Sequence, residues 1–311
     1  MKAKQISVTV ALTCIVLLTP AVRAKEPLSA IAIEAAEADS GTPRQQYSAI
    51  LKEYNPASGA LRKAKTDLQR KAAVERLATF SSKFVRLAAK NPKDPIALRA
   101  LKQAVQAVGS TDSAAQISWE TNRSHFPAGC TDGSAAKTVA LVLRDHLRSQ
   151  KLGPVVDRMR YGYRMVYGKC LSTVLEKNPH HKVQALTCLA LAQFLNDKLR
   201  VIQLADDRPE LKQCYDIVFG KDYLPELQRL GRAKLAARIE KLFERAVKEY
   251  GDVKFRSGTV GDVAKSELYD IRHLSVGKRA PRIKGKDQDG KRFKLTDYRG
   301  KVVLLYFWSE F

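Results

Sequence analysis

Apolar residues recur with helical spacing through most of the chain, and this periodicity is the feature that most constrains the fold. Between Ile239 and Tyr250 the apolar positions are 239, 242, 243, 246, 247 and 250, which form one face of a helix with 3.6 residues per turn. Gly251 ends this helix. Similar patterns run through Gln46 to Tyr54, Phe84 to Ala89, Ile96 to Val108, Ala135 to Leu147 and Val183 to Phe194. Strand-like alternation is scarce there, so we expect a mostly α-helical domain over residues 25–270.

Two segments of this helical body share a motif. "FVRLAAKNPKDPIALRAL" begins at Phe84 and "LSTVLEKNPHHKVQALTCLAL" begins at Leu171, and both place Lys-Asn-Pro between two helical patterns. Asn91 and Asn178 suit the end of one helix, and the proline that follows each of them suits the start of the next. The motif predicts stacked antiparallel helix pairs, similar to tetratricopeptide-type arrays but without their full signature. Such arrays commonly bind a protein partner, although a plain helical domain without a partner explains the pattern equally well.

The first 24 residues have the order of a signal peptide. Lys2 and Lys4 give a positive start, Ile6 to Leu18 is mostly apolar, and Val22-Arg23-Ala24 offers small residues for cleavage. An uncleaved membrane anchor fits less well, because this apolar stretch is short for a bilayer span. We therefore expect an exported protein of the periplasm or cell envelope, with no transmembrane segment after the signal is removed.

The formal net charge is +23, and removing the three basic residues of the first 24 still leaves +20. A field of this sign attracts anionic lipid, polysaccharide or nucleic acid. Lysines and arginines are spread along helical segments with acids among them, however, which favours a solvated basic surface over a dedicated site. No zinc-finger or RNP-like motif indicates specific nucleic-acid binding.

Four cysteines follow the predicted signal peptide: Cys130, Cys170, Cys188 and Cys214. None is part of a CxxC pair, so the spacing predicts neither a zinc knuckle nor a redox pair. Packed helix axes lie about 8–10 Å apart, whereas bridged Cα atoms need less than about 7 Å, which disfavours a bridge between Cys170 and Cys188 on neighbouring helices. We expect Cys188 to be a buried free thiol, and Cys130 with Cys214 to be the candidate structural disulfide of an oxidising compartment.

His180 and His181 are the histidine pair that could suggest a metal site. Adjacent helical residues point about 100° apart, so the two side chains cannot easily chelate one ion. A polar helix start is therefore the favoured interpretation, and the sequence predicts no metal site, no cofactor and no catalytic residue.

The composition changes in the last 36 residues. Asp289-Gly290 is a strong hairpin signal between the extended segments Arg282 to Lys286 and Lys291 to Leu295. After a turn ending at Gly300, the segment Val302 to Trp308 is apolar on both faces, and we expect it to form a buried central strand.

The order of these residues resembles the N-terminal part of the thioredoxin-like redoxins, which include the TlpA-like and peroxiredoxin-like thiol–disulfide proteins. Their pattern is a V-G-x-x-A-P start, a D-x-D-G turn, an L-x-D-Y-x-G-K-V-V-L-L stretch and then F-W-x-x-W-C-x-x-C. The matching residues here are Val276, Gly277, Ala280, Pro281, Asp287, Asp289, Gly290, Leu295, Asp297, Tyr298, Gly300, Lys301, Val302, Val303, Phe307 and Trp308. The match covers about the last tenth of the chain. A softer likeness links the helical body to the long N-terminal extension of some bacterial members.

The resemblance implies a thioredoxin-like module over 271–311 that consists of the hairpin and first core strand only. Phe311 stands where the family usually has the tryptophan before its first catalytic cysteine. The residues that would flank the absent site are Pro281, Asp289, Gly290, Gly300, Phe307 and Trp308. We therefore expect an exported redoxin-family protein that is cut before its CxxC and is inactive as a thiol enzyme in this form. The alternatives are an envelope helical-repeat scaffold with a vestigial redoxin segment, and a basic binder of anionic polymers.

Overall fold

The computed structural model describes residues 41–120, 133–286 and 289–306, so the predicted signal peptide over 1–24 lies outside it. The helices are α1 Pro43–Lys63, α2 Asp67–Lys90, α3 Ile96–Glu120, α4 Ser134–Leu141, α5 Gly153–Met159, α6 Met165–Lys177, α7 His181–Asp207, α8 Glu210–Phe219, α9 Tyr223–Gln228, α10 Arg232–Tyr250 and α11 Val260–Tyr269. The strands are β1 Lys254–Phe255, β2 Gly258–Thr259, β3 Lys284–Lys286 and β4 Arg292–Lys294. The predicted mostly α-helical fold is confirmed. Among the described residues, no helix combines the length and the apolar character that a bilayer crossing needs.

Two helices continue into wider turns. Val142–His146 extends α4 as a π-helical turn, and Asp270–Leu274 extends α11 in the same way. Arg272, in the second of these turns, donates hydrogen bonds to Glu240 and Glu244 on α10. The helical part therefore runs to Leu274, whereas the expected boundary at 270 between two domains stays a prediction.

Three helices, α1, α2 and α11, begin with the same reciprocal cap. A threonine hydroxyl accepts a hydrogen bond from the backbone N–H three residues on, and that residue's side chain accepts one from the threonine N–H. The pairs are Thr42 with Gln45, Thr66 with Gln69 and Thr259 with Asp262. Each cap satisfies two donors that the first helical turn leaves without partners, which explains where these helices start.

Helix α7 is the centre of the core. It packs against α5, α6, α8, α9, α10 and α11, and every residue from Thr187 to Ala192 is buried. A run of six buried residues covers all sides of a helix rather than one stripe. One continuous apolar cluster extends from Tyr54 on α1 to Leu268 on α11, with α7 inside it.

The two Lys-Asn-Pro motifs both lie between packed helices, α2 with α3 and α6 with α7, as predicted. The proline after each asparagine lies in the turn rather than in the next helix, since α3 begins at Ile96 and α7 at His181. The start of α3 is stabilised by the Asp94 carboxylate rather than by Pro92. This carboxylate accepts a hydrogen bond from the Ile96 N–H at 2.7 Å.

The two asparagines make very different contacts. Asn91 is half-buried, and its side-chain amide donates one hydrogen bond to the Leu87 carbonyl. Asn178 is 1% exposed. Its amide donates to the carbonyls of Leu147 and Ser149 at 2.7 and 3.2 Å, and its side-chain oxygen accepts from the His180 N–H at 2.9 Å. Asn178 thus joins the segment after α4 to the start of α7.

The expected central strand over Val302 to Trp308 is not observed in the part that the structure describes. Residues 302–306 pair with no neighbouring strand there, and Val302 and Leu304 are fully or nearly fully exposed. A central strand needs partners on both edges and layers on both faces, and the described chain supplies none of these to this segment. Phe307 and Trp308 lie outside the described residues.

Substitution of the two motif asparagines should separate these roles. Asn178→Ala should lower the free energy of unfolding by roughly 2–4 kcal/mol, because it leaves three half-buried backbone groups, of Leu147, Ser149 and His180, without their partners. The matched change Asn91→Ala should cost only about 0.5–1.5 kcal/mol. Urea denaturation followed by circular dichroism measures both values. Equal losses of stability in the two variants would contradict the role of Asn178 in joining the segment after α4 to the start of α7.

Candidate functional site

The segment that resembles redoxins folds locally as a hairpin. Strands β3 and β4 are antiparallel with Gly285 opposite Phe293, Lys284 opposite Lys294 and Lys286 opposite Arg292. Gly290 has φ +77°, a left-handed backbone conformation that glycine adopts without steric cost. The hairpin predicted from Asp289-Gly290 is therefore confirmed, with shorter arms than expected.

The two faces of this hairpin differ in chemistry. Side chains alternate along a strand, so Ile283, Phe293 and Leu295 lie on one face and the four cations of the paired strands lie on the other. The apolar face is only half-buried. The Phe293 ring lies against the Gly285 Cα, where an added Cβ would meet it at 3.0 Å. A two-stranded hairpin is marginally stable alone, so packing of another element against this apolar face would stabilise it.

The predicted flanking residues are only partly brought together. Pro281 is half-buried beside β3, and Asp289 and Gly290 form the exposed tip of the hairpin. Gly300, with φ +83°, follows the 3₁₀ turn Leu295–Tyr298. Phe307 and Trp308 cannot be placed, because they lie outside the described residues.

The described cysteines of the helical body are buried. Cys170 and Cys188 are fully buried with free thiols, which confirms the expectation for Cys188. The Cys188 Sγ donates a hydrogen bond to the Leu242 carbonyl at 3.3 Å. Burial raises the pKa of both thiols to about 12. Cys214 is buried in α8, but Cys130 lies outside the described residues, so their disulfide stays a prediction.

The two histidines of the pair have different neighbours. The His180 Nε2 lies 3.0 Å from the Arg148 carbonyl oxygen, while the His181 ring lies 5.1 Å from the Tyr250 ring. Nowhere in the described ranges do three or more metal-ligating side chains cluster. The pair therefore forms the start of α7 and two separate packing contacts.

Sequence reasoning missed a large cavity in the helical body. Its volume is about 890 Å³, and six arginines line it together with only two carboxylates, Asp197 and Glu267. The arginines are Arg62, Arg70, Arg158, Arg160, Arg200 and Arg256. Arg158 and Arg160 lie beside Tyr161 in the sequence, but the other four come from other segments, so no single local motif marks the set.

Three of these guanidinium groups converge on Tyr161 in the cavity wall. Arg160 donates to the Tyr161 hydroxyl and its Cζ lies 4.2 Å from the ring centre. Arg256 donates to the same hydroxyl at 3.0 Å, and the Arg158 Cζ lies 5.9 Å from the ring centre. Arg160 is 6% exposed and also packs over Phe255. Stacking on aromatic rings holds these planar cations in fixed orientations.

A buried charge cluster lies beside this cavity. Asp112, which is fully buried, accepts two hydrogen bonds from Arg164 at 2.8 and 2.6 Å. Lys198 is also fully buried, and its Nζ donates to Asp197 at 2.9 Å and lies 5.1 Å from the Tyr163 ring centre. Burial lowers the pKa of Lys198, opposed by Asp197 and Asp112. Burial also raises the pKa of Asp112, with Arg164 acting against it.

The comparisons with known proteins concern the C-terminal segment. Residues 276–311 match the AhpC/TSA family. This match supports a thioredoxin-like redoxin segment there, in agreement with the resemblance seen in the sequence. No curated protein and no solved structure matches the chain.

Labelling of the native protein should report the burial of the thiols. With a pKa of about 12 for each, Cys170 and Cys188 carry almost no thiolate at pH 7.5. Iodoacetamide should leave both unmodified in the native chain and modify both in 6 M guanidinium, as measured by peptide mass mapping. Fast native labelling of either residue would contradict the closed core.

Removal of the buried ammonium should change how stability depends on pH. Because the folded-state pKa of Lys198 lies below its unfolded value of about 10.4, the unfolded chain binds more protons between the two values, and stability rises with pH in that window. Lys198→Met should abolish this rise as the pH approaches the unfolded value, and it should change the free energy of unfolding at pH 7 by less than about 2 kcal/mol. Comparison with the wild type cancels the contribution of Tyr223, whose pKa burial raises.

A large loss of stability in Lys198→Met would contradict this expectation. It would mean that the contacts of the ammonium with Asp197 and the neighbouring rings outweigh the cost of burying it.

Proposed function

We propose that this chain is an exported member of the thioredoxin-like redoxins, of the TlpA-like or peroxiredoxin-like kind, whose segment 271–311 is the N-terminal part of a thiol–disulfide module. The observation that carries this proposal is the AhpC/TSA match over residues 276–311, which coincides with a hairpin built on Asp289-Gly290.

The exposed apolar residues of this segment support the proposal. Val302 is 104% exposed, Leu304 90% and Tyr306 80%, which is unusual for three such residues within five positions. Exposed apolar patches mark surfaces that another element covers. In a thioredoxin-like domain this segment is a central strand, flanked by other strands and covered by helices, and those elements would also cover the apolar face of the hairpin.

The chemistry of such a module needs a reactive thiolate. In the family the attacking cysteine lies at a helix N-terminus after this strand, where the helix dipole and its partner cysteine lower its pKa, and exchange proceeds through a mixed disulfide. The 311 residues contain no CxxC, and burial gives Cys170 and Cys188 the opposite environment. We infer that this chain alone is inactive in thiol–disulfide exchange.

Export is supported by the first 24 residues, with their basic start, apolar stretch and small residues before position 25. It agrees with the redox role, since disulfide chemistry of this kind operates in oxidising compartments. Expression with a periplasmic marker and N-terminal sequencing of the mature protein would show whether cleavage follows Ala24.

The purified 311-residue chain should not reduce insulin with dithiothreitol as electron donor. Turbidity should develop at the uncatalysed rate, whereas a thioredoxin control should accelerate it. A clear catalytic rate would refute the inferred inactivity. Sequencing of the coding DNA beyond codon 311 tests the family proposal separately, because it predicts a CxxC directly downstream in one of the reading frames.

A second candidate function, a protein-binding helical scaffold of the envelope, is favoured by the continuity of the helical core. The core cluster ends at Leu268, and none of the described residues from 275 onwards is buried. The body can therefore fold without the redoxin segment. A chain shortened to residues 1–275 that retains a specific partner would favour the scaffold, whereas loss of the partner would favour a role for the redoxin segment.

A further inference from the structure

We propose that the arginine-lined cavity of the helical body is a binding site for a small phosphorylated molecule. This inference is independent of the redoxin segment, because the residues that line the cavity lie between Ser58 and Glu267. The volume of about 890 Å³ falls within the range of sites for small organic ligands, about 300–1,000 Å³.

The first argument is that most of the cationic groups have no countercharge. In the described ranges, Arg62, Arg70, Arg158 and Arg200 form no ion pair with any carboxylate. The Nε atoms of Arg70 and Arg158 are buried, and neither has a hydrogen-bond partner among the residues that the structure describes. A buried donor without a partner costs free energy, and clustered like charges add repulsion, so an anion in this cavity would relieve both costs.

The second argument is that the two carboxylates in the cavity wall are already engaged. Asp197 accepts a hydrogen bond from the buried Lys198 at 2.9 Å. Glu267 accepts one from Gln193 at 2.8 Å, and Gln193 in turn accepts one from Arg160. Asp197 is paired with Lys198 and Arg160 is paired with Asp157, while Glu267 keeps its charge. The remaining arginines outnumber Glu267, so the cavity keeps a net positive potential.

The third argument is backbone strain at the cavity rim. Strands β1 and β2 are joined by the two-residue turn Arg256-Ser257. Arg256 has φ +53°, and it is the one non-glycine residue with positive φ in the described chain. Asparagine or glycine is favoured at such a position, and a long side chain there is uncommon. This turn places the Arg256 guanidinium on the Tyr161 hydroxyl at the cavity wall. Strain of this kind concentrates at functional sites.

The arrangement favours a phosphoryl group over a single carboxylate. Arg158 lies over the Tyr161 ring and Arg256 on its hydroxyl, while Arg160 is held there by Asp157, Gln193 and the same hydroxyl. The forked donors of arginine match phosphate oxygens in pairs. A phosphoryl group offers three terminal oxygens and close to two negative charges, so several guanidinium groups can share it. A carboxylate offers two oxygens and one charge.

The test uses the full chain with pyrophosphate and citrate as probes, at matched ionic strength in sodium chloride. At about 100 times the dissociation constant, pyrophosphate should raise the melting temperature of the wild type by about 5 °C or more. Arg158→Gln combined with Arg200→Gln should weaken pyrophosphate binding at least ten-fold in isothermal titration calorimetry. The matched control is Arg86→Gln combined with Arg229→Gln, which removes the same charge from exposed positions outside the cavity and should bind like the wild type.

Arg256→Gly supplies an independent variant that should fold well, because it relieves the positive φ. The ligand-free melting temperature should stay the same or rise, while pyrophosphate binding should weaken. Equal weakening in the cavity and control double variants would overturn the proposal, because it would assign binding to the general positive surface. No stabilisation of the wild type by pyrophosphate would also overturn it. Citrate binding as tight as pyrophosphate binding would overturn the choice of a phosphorylated ligand.

Discussion

The burial of Lys198 in the central helix constrains how the helices around it pack. An ammonium group without access to water must be satisfied by nearby charges and rings. Here Asp197 accepts its hydrogen bond, and Asp112 on α3 adds attraction while being held by Arg164 before α6. The cluster thus ties α3, the start of α6 and α7 into one arrangement. Tyr163 and Asp197 belong to both this cluster and the cavity wall, so the cluster contributes to the shape of the cavity.

The helices could be predicted from sequence because their signals are local. Apolar spacing of 3.6 residues and threonine caps lie within a few residues of each other, whatever the rest of the chain does. The two Lys-Asn-Pro motifs show the limit of this reasoning. Asn91 and Asn178 share the Lys-Asn-Pro triplet, but only Asn178 contacts the segment after α4. That contact depends on the packing of helices that are distant in the chain.

The cavity and the segment after Gly300 show the same limit, because both depend on contacts between parts of the chain that are distant in sequence. The arginines of the cavity are solvated surface cations by local pattern. Arg158 and Arg160 lie next to Tyr161 in the sequence, but only the tertiary fold brings Arg256 and the remaining arginines to the same cavity. The segment after Gly300 has the composition of a central strand, but strand formation requires neighbours, and the described chain provides none. Asp289-Gly290 was predictable because a tight turn is specified by its own residues.

The cationic face of the hairpin has a consequence for how the chain behaves at high concentration. Lys284 faces Lys294 and Lys286 faces Arg292, and like charges placed opposite each other repel. The same charges repel the hairpin of a second molecule. They therefore oppose the pairing of the exposed residues 302–306 with those of another molecule in an intermolecular sheet. Salt weakens such repulsion beyond about 10 Å at 0.1 M. The resistance of this protein to aggregation through its C-terminal region therefore falls as the ionic strength of the solution rises.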